Sequence, residues 1–151
     1  MINLKAALVA LVAGFAGGPA IAAEGLVTRT SDHSALDTLD RLESAAKARG
    51  LTIFARIDHA AGAAAIGQEL RPAAVLIFGN AKGGTPLMQE EQTIGLDLPL
   101  KVLVWQDEKG VVRIGYNDPA WLARRHGADP RGPAVANLAA ILTQLAETAA
   151  R

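Results

Sequence analysis

The groups in this chain with chemistry to offer are a glycine-rich stretch, three histidines and a scatter of hydroxyls and carboxylates. Gly79-Asn80-Ala81-Lys82-Gly83-Gly84-Thr85-Pro86 concentrates most of it. Its glycine spacing superficially resembles a phosphate loop, but Thr85-Pro86 stands where such a loop carries Lys followed by Ser or Thr, and proline removes an N–H that the cradle would use. A weaker anion site remains, in which the N–H groups of Gly83 and Gly84, the Thr85 hydroxyl and the Lys82 ammonium converge on a carboxylate or phosphate. The competing reading is architectural: the glycines make a tight turn and Asn80 bonds the loop's own backbone.

The other chemistries find less support. Asp32-His33 and Asp58-His59 repeat a dipeptide, yet neighbouring residues on a strand face opposite ways, so neither pair is spaced as a ligand set, and no metal or cofactor is assigned. The chain has no cysteine, which excludes disulfides, thiol catalysis and thiolate metal sites. Ser31, Ser34 and Ser44 lie in no nucleophile elbow, and Glu90-Glu91 and Arg124-Arg125-His126 suit helix ends. No catalytic residue is assigned, and the reading leans away from an enzyme. Fifteen basic and fifteen acidic residues cancel, and Trp105 and Trp121 have no basic groove beside them, so nucleic acid is not expected as a partner.

The elements that must position these groups follow from periodicity. Residues 25–30 have the β-branched content of a short strand. Ser34 opens a helix whose Leu36, Leu39, Leu42 and Ala46 recur at helical spacing until Gly50. Residues 51–58 alternate, predicting a strand with Leu51, Ile53, Ala55 and Ile57 inward and His59 continuing that parity. An alanine-rich helical connection over 60–70 leads to a strand from Pro72, in which Val75-Leu76-Ile77-Phe78 reads as buried on both faces. Thr85-Pro86 reads as the N-cap and first turn of a helix ending at Ile94. Strands at 101–106 and 111–116 form a hairpin about Asp107-Glu108-Lys109-Gly110, with Tyr116 on the face of Val112 and Ile114. Asp118-Pro119 starts a short helix, and Gly132-Pro133 a last one buried along Val135, Leu138, Leu142, Leu145 and Ala149. Strand, helix, four strands and helix make an α+β fold, and residues 24–151 are read as one domain.

The first 23 residues read as a leader. Lys5 precedes an apolar core over 6–16, Gly17-Gly18-Pro19 break any helix, and Ala20-Ile21-Ala22-Ala23 supplies small residues for cleavage after Ala22 or Ala23. The apolar helix falls short of the ~20 residues of a membrane span, so a periplasmic or secreted domain without stable membrane insertion is expected.

Ile57-Asp58-His59, Phe78-Gly79-Asn80-Ala81-Lys82-Gly83-Gly84-Thr85-Pro86-Leu87-Met88, Leu98-Pro99-Leu100-Lys101-Val102 and Tyr116-Asn117-Asp118-Pro119 together resemble the domain of unknown function family 302. The resemblance runs from about Gly25 into the last helix, and departs from the family pattern at Ala81, where a proline is common. It implies a TATA-box-binding-protein-like fold, a curved, mainly antiparallel sheet with helices on one face; it carries no reaction, and such a fold implies no DNA binding.

These strands lead to one expected site. His59, the loop Asn80, Lys82, Gly83, Gly84 and Thr85, and the pair Tyr116-Asn117 are expected to meet at the sheet's rim and hold a small anionic or polar ligand, or else to clasp the rim together without one. The function read from this is non-enzymatic ligand binding or interaction. A hydrolase-type or metal-dependent enzyme and a self-associating structural protein are the alternatives, and a homodimer is expected if one face of the sheet is left uncovered.

Overall fold

The computed structural model describes residues 23–151, so the expected leader, up to Ala22, lies outside the described residues. The elements are β1 (Leu26–Thr30), α1 (Ala35–Ala48), β2 (Thr52–Asp58), α2 (His59–Ala65), β3 (Ala73–Gly79), α3 (Ala81–Glu90), a 3-10 turn (Gln92–Leu96), β4 (Leu100–Gln106), β5 (Val112–Asn117), α4 (Pro119–His126) and α5 (Pro133–Ala150). The strands form one antiparallel open sheet in the order β1-β5-β4-β3-β2. Helices α1 and α5 pack against each other and on one face of it, with α3 and α4 against α5. The fold is α+β, in the expected element order.

Each well-placed helix carries its own start and stop. Ser34 accepts the Asp37 N–H as N-cap of α1, and Gly50 follows that helix at φ 70°, where a side chain would be strained. Asp118 caps α4 with Pro119 in the first position, and Gly127 closes it at φ 80°. The apolar stripe of α5 is buried as its spacing requires, with Leu145, Ala146 and Ala149 fully enclosed. Facing it are Leu76 and Phe78 of β3, Val102 and Val104 of β4, and Ile114 and Tyr116 of β5.

Three expectations about the strands and helices are corrected. In β2 a one-residue register shift between Ile53 and Ala55 forms a bulge at Phe54. Ile53 pairs with buried Phe78 and faces the helices, but beyond the bulge Arg56 takes the inward side, opposite Leu76, while Ala55 and Ile57 turn to the open face. The inward parity expected through Ile57 to His59 is therefore lost, and exposed His59 begins α2, capped by Asp58. The second correction concerns β3, which is buried on one face only: Leu76 and Phe78 are enclosed, whereas Val75 and Ile77 are half-buried opposite Leu103 and Lys101, on the face without helices.

The third correction moves the start of α3. Asn80, not Thr85, is the N-cap, its side chain accepting the Gly83 N–H at 2.8 Å, so Gly83, Gly84, Thr85 and Pro86 lie inside the helix. Asparagine outranks threonine as a cap, and Pro86 forfeits one hydrogen bond in return for a full extra turn. The expected extension to Ile94 is broken at Glu91, which caps the 3-10 turn instead.

Arg56, brought inward by the bulge, pairs with Asp40 at 2.5 Å and Glu43 at 3.2 Å on α1. Lys47, aided by Arg56, holds the Glu43 carboxyl below the usual carboxylate range, and the Arg113 guanidinium with the N–H groups of Val111 and Lys109 does the same for Asp107. Both groups bind their proton less readily when folded, so their contribution is complete above the unfolded carboxylate value near about pH 4 and is lost as pH falls through the lowered folded values. The melting temperature is expected to drop in that acid window. Arg113→Met should lower it at neutral pH and shrink the further acid loss; an undiminished acid loss in that variant would contradict the assignment.

Candidate functional site

The seven residues of β3 decide which expected site residues can meet. At about 3.3 Å per residue its ends are roughly 20 Å apart. Asn80 follows one end, whereas Asp58 pairs with Ala74 at the other, so His59 stands at the opposite rim from the loop. The cause is the antiparallel turn-back of β2 on β3, which carries the end of one to the beginning of the next. Tyr116 lies nearer the correct rim but is buried under α5, its hydroxyl 3.4 Å from Thr143 Oγ1. Asn117 is exposed on β5, with β4 between it and β3, about 10 Å away at the usual strand spacing. The rim constellation of His59, loop and Tyr116-Asn117 is not formed.

The loop does border a cleft. A cleft of about 440 Å³ opens between the first turns of α3, the N-terminal half of α5 and the segment leading into β4. That volume falls within the roughly 300–1,000 Å³ typical of small-molecule sites. Asn80, Lys82, Gly83 and Gly84 line it, as do Leu51, Phe54, Met88, Leu98, Pro99, Leu138 and Ile141, with Asn137 from α5; Thr85 does not. The bulge in β2 aims Phe54 here: its side chain is 58% exposed and lies beside Gly79. Gly83 and Gly84 permit the close walls, since a Cβ at either would come within 3.3 Å of Leu138 and Leu98 respectively.

The donors differ from those expected. The N–H of Gly83 is spent on the Asn80 side chain and that of Gly84 on the Asn80 carbonyl at 3.2 Å. The N–H groups left without an acceptor by this capping are those of Ala81 and Lys82, earlier in the same turn. Lys82 forms no ion pair among the described residues. Asn80 thus acts as the architectural reading expected, and it also lines the cleft. Asn80→Ala is expected to cost about 1 kcal/mol through the lost cap, and Asn80→Asp to retain most of it. Chemical denaturation checks this; equal stability of the alanine variant and the parent would be the contrary result.

A second constellation escaped sequence reasoning because its members come from distant segments. His126 Nε2 donates to Asp97 Oδ2 at 2.6 Å, and its Nδ1 lies 3.0 Å from Thr93 Oγ1, a hydroxyl–imidazole–carboxylate row. Thr93 Oγ1 lies equally close, 3.0 Å, to Glu91 Oε1, an ionised acceptor that competes with the imidazole for its one hydroxyl proton. Arg125 pairs with the same Asp97 at 3.2 Å while its guanidinium sits 5.9 Å from the Trp121 ring. The row ties the 3-10 turn to the end of α4 and is not a poised nucleophile. His33, at the start of α1, and His59, at the start of α2, stand on other elements, and among the described residues no three of His, Asp and Glu gather as a metal set.

Fold and cleft together define an α+β domain with an open five-stranded antiparallel sheet and an apolar, cation-bordered cleft. The family model described as "Domain of unknown function DUF302" matches residues 27–148, and the chain belongs to that family. The crystal structure of the uncharacterized conserved protein DUF302 from Bacillus stearothermophilus superimposes with a TM-score of 0.75, covering 85% of this chain and 100% of that one at 22% identity, a likeness of fold. Among curated proteins, Fluoride-specific ion channel FluC 1 of Brucella suis is 51% identical over 102 residues, and its Brucella abortus counterpart is equally similar. The match takes in 68% of this chain but spans only 40% and 38% of the length of those relatives. Among the described residues no helix is long and apolar enough to cross a membrane.

Proposed function

We propose that this chain is an exported, non-enzymatic domain that binds a small ligand in the cleft between α3 and α5. The observation that carries the reading is the cleft itself: a largely apolar concavity of about 440 Å³ with three polar side chains, Asn80, Lys82 and Asn137, in its lining. The test is a calorimetric and thermal-shift screen of envelope metabolites against the parent and Phe54→Ala. Because Phe54 is 58% exposed, its loss should leave the unliganded melting temperature within a few degrees while abolishing binding. A ligand bound equally well by both proteins, or none at all, would overturn the reading. Fluoride belongs in the screen, given the names of the Brucella relatives. Turnover of generic ester, phosphate or peptide substrates that disappeared with Lys82→Ala would favour the enzymatic alternative. Export is checked by N-terminal sequencing of envelope protein, with Ala23 or Glu24 expected first.

Self-association is a second reading, favoured by the sheet face that no helix covers. Leu26 and Ile57 are 37% and 43% exposed there, beside half-buried Val75, Ile77, Leu103 and Trp105. A second copy stacked face to face would cover them. Light scattering at micromolar concentration should give the mass of two chains, and Leu103→Asp the mass of one; a parent with the mass of one chain excludes it.

A further inference from the structure

We infer that the cleft's ligand is an amphiphilic monoanion, an unbranched aliphatic carboxylate lying with its head at Lys82 and its chain along the glycine-walled slot. This rests on the cleft being a ligand site, and three features of its lining select the class. Lys82 is the only charged residue lining it and forms no ion pair among the described residues, so a positive charge stands at the mouth without a countercharge. The acid closest in sequence at the far end of α3, Glu90, is turned away to accept the Asp129 N–H at 2.5 Å.

The polarity is also one-sided. Asn80 and Lys82 stand at the start of α3, and since a Cβ built on neighbouring Gly83 would lie 3.3 Å from Leu138, the residue before it, Asn137, which also lines the cleft, is near the same end. A carboxylate placed there meets an ammonium, side-chain amides and the unspent N–H groups of Ala81 and Lys82 at the positive end of a ten-residue helix. Away from that end the walls are aliphatic side chains, the Met88 thioether and the Phe54 ring. They offer the ligand's body no side-chain hydrogen-bonding group, and a hydroxylated body such as a sugar would leave its own groups unpaired. Finally, Gly79, Gly83, Gly84 and Gly95 all line the cleft, presenting backbone where side chains would otherwise fill it. Such a slot suits a narrow, unbranched chain better than a bulky ring.

The probes are decanoate and decyltrimethylammonium below their micellar concentrations and decanol below its solubility, titrated into the chain from Ala23 to Arg151 by calorimetry and by amide shifts of Gly83, Gly84 and Phe54. Decanoate should bind at least tenfold more tightly than decanol, with decyltrimethylammonium weakest, and Lys82→Met should weaken decanoate by five- to tenfold while leaving decanol unchanged. Tenfold corresponds to about 1.4 kcal/mol. Decanol binding as well as decanoate, or indifference of decanoate to Lys82→Met, would overturn the assignment of class while the cleft remained a site. If none of the probes shifts those amides and the metabolite screen is also empty, the site itself is refuted. Benzoate or phenylbutyrate outcompeting decanoate would replace the aliphatic body with an aromatic one.

Discussion

Phe78→Ala is expected to remove about 3–5 kcal/mol of folding stability. The ring is 0% exposed, paired across β3 with Ile53 on one side and Leu100 on the other, and lies under the helix layer with Leu76 and Val102. Truncation loses the transfer energy of the ring and leaves a void whose lining belongs to three strands fixed by their ladders, so the site has little freedom to collapse. Because a domain of this size has a total stability of only about 5–15 kcal/mol, the variant should unfold at much lower urea, with the slope of the transition unchanged. Phe54→Ala supplies the internal comparison. It deletes the same side chain one strand away, from a position 58% exposed, and should cost under about 1.5 kcal/mol. Equal losses in the two variants would show that burial, and with it the bulge that turns Phe54 out, has been misplaced.

Gly25→Ala should destabilise by about 2–4 kcal/mol for two separable reasons. Gly25 adopts φ 77°, a left-handed conformation that costs a residue with a Cβ about 1 kcal/mol, and a Cβ built there would lie 2.3 Å from the Trp121 ring. The ring cannot yield cheaply. Trp121 is half-buried between the chain's entry and α4, Arg125 stacks over it, and the Gly25 carbonyl accepts the Asp118 N–H at 2.7 Å, pinning the entry to the start of that helix. A double-mutant cycle separates the two costs: in a Trp121→Ala background, Gly25→Ala should cost only the backbone share, about 1 kcal/mol. A full-sized loss in both backgrounds would mean that the ring contact contributes nothing.

What was legible in the sequence was local. Ser34, Gly50, Asp118-Pro119 and Gly132-Pro133 mark helix ends by chemistry that acts within a few residues, and the β4–β5 hairpin turns on Gly110 at φ 79°. Where two local signals competed, the reading went to the wrong one: Thr85-Pro86 is a respectable helix start, but Asn80 is a stronger cap and wins a turn earlier. The bulge at Phe54 left no mark in the alternation of β2, because Ala55 and Ile57 are apolar enough to suit either face. Of the cleft's lining, Asn80, Lys82, Gly83 and Gly84 were legible because glycine, amide and ammonium crowd one loop. Leu51, Phe54, Leu98, Asn137 and Ile141 were not, since they join the cleft only when α5 crosses α3 and the chain returns into β4. His59 and Tyr116 failed for different causes: the antiparallel turn-back of β2 on β3 carries His59 to the opposite rim, whereas Tyr116 keeps its expected face and is buried there beneath α5.

The bulge in β2 also bears on how crowded copies of this chain behave. The two outermost strands are β1 and β2, whose unpaired backbone groups invite another chain to add itself edge to edge. At β2 the extra residue at Phe54 breaks the even repeat of donors and acceptors and sharpens the local twist, so an incoming strand that pairs with one half falls out of step with the other. β1 is only five residues long, and its inward Arg29 is held by Glu147 at 3.1 Å, leaving little straight edge to copy. Growth into fibres is thereby discouraged at both borders of the sheet, and at one of them by the same irregularity that turns Phe54 toward the cleft.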